Sequence, residues 1–131
     1  MDAQAGCESC FGDDAAAVWK AHEALERSAR VVDDSHFGLS LRRCSACGQR
    51  FAAVFCERID WSGGNDPQDW LQIPIANDEA DALVAAGADG GEAVLRRLAP
   101  DRRYLARWFD RDADKPEVGF VTGKILVPPH D

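Results

Sequence analysis

The sequence predicts an α+β fold, and three observations carry that reading. Near the N-terminus, apolar residues recur at spacings of three and four, at Val18, Trp19, His22, Leu25 and Ala29, which is the stripe of a helix. From His36 the period falls to two, with Phe37, Leu39 and Leu41 on one face, and the alternation returns over 102–110. Clusters of Gly, Pro, Asn and Asp punctuate the stretches between.

Taken in order, Asp13 and Asp14 can cap a helix over about 15–31, their acids sitting at the positive end of its dipole. Asp33, Asp34 and Ser35 break that pattern. A strand follows from His36 into Cys44, and a second from Arg50 to about Ile59, making a β-hairpin with its turn at Cys44–Gly48. Residues 61–70 contain two Gly, Asn, two Asp and Pro between two tryptophans and read as a loop. A short strand is expected over 71–75. Asn77 can cap a helix over about 78–86 that stops at Gly87, and a second short helix over about 92–98 ends before Pro100. In 102–110, Tyr104, Ala106 and Trp108 oppose Leu105, Arg107 and Phe109. With a strand over 117–122 this gives a C-terminal hairpin, and a last short strand is expected over 124–127.

Composition narrows the function classes. The chain has 131 residues, 46% hydrophobic, with four Trp, six Phe and one Tyr, enough apolar material for a core without disulfides. Its apolar runs are far shorter than the roughly 20 residues of a membrane span. The acidic start MDAQAGCESC lacks the basic and apolar regions of a secretory signal, so a cytoplasmic protein is expected. Fifteen Lys and Arg stand against 23 Asp and Glu, a formal charge of −8. Such a field repels a polyanion, and nucleic-acid binding is disfavoured. The pairs Arg42-Arg43, Arg96-Arg97 and Arg102-Arg103 are isolated and read as solvated faces. An acidic surface suits a basic protein partner. No small-molecule substrate is implied.

The chemistry of the chain lies in its cysteines. Cys7 and Cys10 form one CxxC pair, Cys44 and Cys47 another, with 33 residues between. Each CxxC turn lets two sulfurs converge on an ion at about 2.3 Å, and two turns complete the tetrahedron that Zn²⁺ prefers. The second pair is the stronger signal, because it sits between two strand patterns and Gly48 can take the positive φ that turns the chain beneath a metal. The segment 36–51, HFGLSLRRCSACGQRF, resembles the second half of a zinc ribbon, and Cys7-Glu8-Ser9-Cys10-Phe11-Gly12 resembles the first knuckle. The resemblance covers 7–12 and 36–59 and departs from the family in its long spacer, where a helix is expected. It implies a structural Zn²⁺ on Cys7, Cys10, Cys44 and Cys47. The chain length fits one domain, 1–131. That domain divides into a zinc-binding half (1–60), a loop and short strand (61–76), and helices with C-terminal strands (77–131).

Other readings stand beside it. Iron also suits four thiolates. A redox CxxC at Cys7 and Cys10 has a helix after it but no strand before it. A disulfide framework conflicts with the odd fifth cysteine, Cys56, which sits among apolar residues and reads as core. Four thiolates leave no open metal position, and no nucleophile or phosphate-loop motif accompanies them, so no catalytic residue is assigned. His22, His36 and His130 are given no ligand role. The loop offers the best working surface: Asp60, Trp61, Asn65, Asp66, Asp69 and Trp70 combine acids with aromatics that anchor interfaces, although two tryptophans folded into a core would give the same pattern. The expected role is a noncatalytic protein-interaction or regulatory module.

Overall fold

The computed structural model describes residues 7–33, 37–57, 68–98, 102–108 and 116–123. Two short helices, α1 (Glu8–Phe11) and α2 (Ala15–His22), precede β1 (Glu26–Asp33), β2 (Phe37–Arg43), β3 (Arg50–Glu57) and β4 (Gln68–Ile75). Helix α3 (Asn77–Arg96) then leads to β5 (Arg102–Trp108) and β6 (Glu117–Gly123). The strands form one antiparallel sheet in chain order, a meander interrupted once by α3.

The two faces of this sheet do different work. Alternation puts Leu39, Leu41, Ala52, Val54, Leu71, Ile73, Tyr104 and Ala106 on one side, where Ala80, Leu83 and Leu95 of α3 bury them. Helix α3 packs mainly on β1 at the sheet edge. It breaks at Gly87, whose φ of 66° and ψ of −162° lie outside helical space, so it is two helical pieces, as the sequence predicts. On the opposite face α1 and α2 cover Phe51 and Phe120. There Phe11 and Phe120 meet edge to face with centroids 5.6 Å apart, and His22 stands 4.6 Å from Phe51.

Four expectations change. The helix expected over 15–31 stops at His22, and the chain becomes an edge strand from Glu26. The backbone edge of β2 offers hydrogen bonds there, and Ala29, Val31 and Val32 reach the core beneath α3. Asp69 and Trp70, expected in a loop, lie in β4 opposite Cys56 and Phe55, because the β3 edge is paired as far as Glu57 and Gln68. The N-cap of α3 is Ala76 rather than Asn77, with the Glu79 carboxylate accepting from the Ala76 N–H at 2.8 Å. The two expected hairpins are not separate, since β4 joins them into one sheet. Lys124–Val127, His36, His130, Asp60, Trp61, Asn65 and Asp66 lie outside the described residues. Among the described residues, no helix is long and apolar enough to cross a membrane.

Candidate metal centre

Two local structures bring the cysteines together. Cys7 is the N-cap of α1, and the Phe11 N–H bonds to its carbonyl at 2.8 Å. The Cys7 N–H points to Cys10 Sγ at 3.3 Å, and the Cys10 N–H donates back to the Cys7 sulfur. The second pair sits on the β2–β3 turn, which closes through Cys44 N–H to Gln49 O at 2.9 Å and Gly48 N–H to Cys44 O at 2.8 Å. Gly48 has φ 82°, the left-handed conformation a glycine takes without strain.

The four sulfurs lie within 4.8 Å of one another. Cys7 Sγ and Cys10 Sγ are 3.7 Å apart, as are Cys10 Sγ and Cys47 Sγ. A tetrahedron with metal–sulfur bonds of about 2.3 Å has edges of about 3.8 Å, so these separations suit four sulfurs around one ion. A disulfide would need about 2.05 Å. All five cysteines of the chain are free thiols, Cys56 fully buried in the α3-side core.

Burial and hydrogen bonding pull the thiols apart in acidity. The Cys10 backbone N–H stabilises the Cys7 thiolate and lowers its pKa to about 7. Burial pushes the Cys10 thiol up, because a lone thiolate beside three other sulfurs has no compensating charge. A cation bound at the centre supplies that charge, and binding would release the protons the cluster now holds.

The surroundings hold α1 in place. His22 is buried, with Nε2 2.6 Å from the Cys10 carbonyl, so Nε2 carries the hydrogen and donates. Burial pushes its pKa down, which keeps the ring neutral. The Arg103 guanidinium lies 4.3 Å from the Phe11 ring centre and 4.0 Å from that of Phe120, and donates to the carbonyls of Phe11 and Gly12 at 3.1 Å. Helix α1 is thus tied to the β2–β3 turn through the sulfurs and to β5–β6 through Arg103.

Of the expected loop residues, Trp70 lies on the same sheet face beside the centre's helices. It meets Trp19 edge to face at 6.4 Å, with Arg107 5.1 Å and 4.9 Å from the two ring centres. Asp69 points to the other face. The sequence reading missed the arginines of the cysteine-side face. In each adjacent pair the two side chains point oppositely, so Arg42 and Arg103 join Phe51 and Phe120 while Arg43 and Arg102 do not. Strand alternation was the available signal. Comparison of the chain with protein-family models, with curated proteins and with solved structures finds no match.

Proposed function

We propose that the chain is a noncatalytic module stabilised by one structural zinc ion and that it acts by binding another protein. The convergence of four sulfurs within 4.8 Å of one another, two of the pairs at 3.7 Å, supports the zinc reading, since a set of four protein ligands leaves no position for a substrate or water. The protein-binding reading is supported by the exposed acids of α3, Asp78, Asp81 and Asp89, and by Val84, 52% exposed one helical turn after Asp81. Exposed acids beside an exposed apolar side chain fit a basic partner, with charge steering the encounter and Val84 seated in contact.

Elemental analysis of the purified chain is expected to give one zinc per molecule, and Cys44→Ser to lose it. Full zinc retention by that variant would overturn the four-thiolate assignment. A metal-free chain that cycles a Cys7–Cys10 disulfide would favour a thiol redox protein instead. For the partner, a double Asp78→Asn, Asp81→Asn variant that retains its zinc and its melting temperature should lose affinity for partners recovered with the native chain. Unchanged affinity would remove α3 from the interface.

A further inference from the structure

The cysteine-side face of the sheet is only partly covered by α1 and α2. Beyond them a cleft of about 250 Å³ opens over β1–β4, lined by Arg27, Arg30, Ser40, Arg42, Trp70 and Gln72 among others. A second hollow of about 210 Å³, reaching Trp19 and His22, shares Arg42, Trp70 and Gln72 with it. The two meet over a floor of one guanidinium, one carboxamide and one indole.

The backbone gathers positive charge here at a local cost. Register shifts in β1 between Arg27 and Ala29 and between Arg30 and Val32 put Arg27 opposite Arg42 and Arg30 opposite Ser40, all on the cleft face. Without those bulges, residues three apart in a strand would point to opposite sides. Like charges directly opposite each other in a sheet are unfavourable. Arg30 is answered by Asp33 at 2.9 Å. Among the described residues, Arg27 and Arg42 have no carboxylate within ion-pair distance. Arg42 Nε is buried with no hydrogen-bond partner, and so is Gln72 Oε1 of a side chain only 8% exposed. Gln72 also interacts with the His22 side chain. Burial and the nearby Arg27 both disfavour the Arg42 charge. A guanidinium nitrogen buried without a partner is costly, and a bound group that pairs with it would remove that cost.

We propose that this cleft is a binding site for a small oxyanion-bearing molecule, its carboxylate or phosphate held by Arg42 and Arg27 and its body against Trp70. The planar fork of a guanidinium matches two oxygens of either group. Ser40 adds a hydroxyl that can donate to the same oxygens. The dimensions of the cleft and its adjoining hollow suit a small molecule, on the scale of the roughly 300 Å³ at which drug-sized pockets begin. The net charge of −8 opposes an extended polyanion while leaving a local pair of guanidiniums free to act at short range.

The test is a titration of the full-length, metal-loaded protein with sodium phosphate and, separately, with sodium benzoate at constant ionic strength. Binding is followed by NMR on the arginine Nε–H and tryptophan indole N–H signals. Saturable shifts are expected at Arg42 and Trp70, and the tighter of the two probes identifies the oxyanion. Arg42→Gln and Arg27→Gln should each weaken binding at least tenfold. Arg43→Gln, which removes the same charge from the other face of the sheet, should leave it unchanged. Arg27 is exposed, so its variant keeps the test valid if Arg42→Gln does not fold. Equal losses in all three variants, linear unsaturable shifts with both probes, or binding seen only with a single-stranded oligonucleotide would each overturn the proposal.

Discussion

At the residue scale, the clearest electrostatic contact of the α3 side is between Glu79 and Arg102. The guanidinium meets both carboxylate oxygens at 2.9 and 2.7 Å and donates to Pro74 O at 2.7 Å, while Glu79 also accepts the Ala76 N–H. Both side chains are largely buried. These donors hold the Glu79 carboxyl below the usual carboxylate range, the hydrogen bond from Arg102 being the main cause. Glu79→Gln should therefore lower stability by about 2 kcal/mol at neutral pH, a figure reduced from that of a fully buried pair for partial solvent screening. Because the folded pKa is lowered, this contribution is complete above the unfolded value of about 4.3 and fades as pH falls through the folded one. Denaturant melts of wild type and variant from pH 7 to 3 check this, and a stability gap that stays constant across the range contradicts it. Residues of this kind divide sharply in how readable they are. The four cysteines could be found from sequence because CxxC spacing is local and its geometry is nearly fixed by the turn. Strand alternation puts Arg102 and Arg103 on opposite faces, but it could not name their partners, which lie in α3 and α1 and are distant in the chain.

At the scale of elements, periodicity located β2, β3, β5, β6 and the break at Gly87, each of which is amphipathic or marked by a residue with one local meaning. It failed between Glu23 and Asp33. Leu25 and Ala29 continue the spacing of Val18 and His22, so local pattern favours a helix, and only the free edge of β2 makes a strand the better state. The same pairing explains why this edge strand carries Glu26, Arg27, Arg30 and Asp33, since charge on an outer strand discourages edge-to-edge association. The reach of β4 back to Gln68 was hidden for a similar reason, because Pro67, Gly63 and Gly64 read as loop while pairing with β3 decides where strand begins. Gly87 offers a direct check on the α3 reading. Its φ of 66° with ψ of −162° lies in a region that side chains avoid, and no atom within 4 Å would obstruct an added Cβ. Gly87→Ala should thus cost about 1 to 3 kcal/mol through backbone strain alone. Thermal melts measure it. A neutral or stabilising alanine would mean that α3 straightens into one continuous helix, which its circular dichroism would report as added helical signal.

At the scale of the whole molecule, the sheet separates a large apolar layer from a small one that depends on the cysteines. Among the described residues, the α3 side buries fifteen in one cluster, none of them among the four proposed ligands. The other cluster is Cys10, Phe11, Cys44 and Phe51, two of them ligands, with Cys7, Leu25 and Phe120 at its margin. Helix α1 has four residues and α2 eight, lengths at which an isolated helix does not persist in water. Their order therefore rests on tertiary attachments: the sulfur cluster, the Arg103 bridge and the His22 bond to Cys10. Metal binding energy in such a site is folding energy, but it is folding energy of this layer rather than of the α3 core. Removal of the metal by a strong chelator should accordingly release α1 and α2 and leave the opposite layer folded. Amide hydrogen exchange resolves the two outcomes. Protection in 8–11 and 15–22 should fall by at least tenfold while Leu39, Leu41, Val54, Ile73 and Leu83 stay protected. Adding Arg103→Leu, which removes the second attachment, should deepen the loss in 8–11 without extending it to the α3 core. Uniform loss of protection across both layers would show that the sheet cannot stand without the metal, and undiminished protection of α1 would show that the sulfur cluster does not hold it.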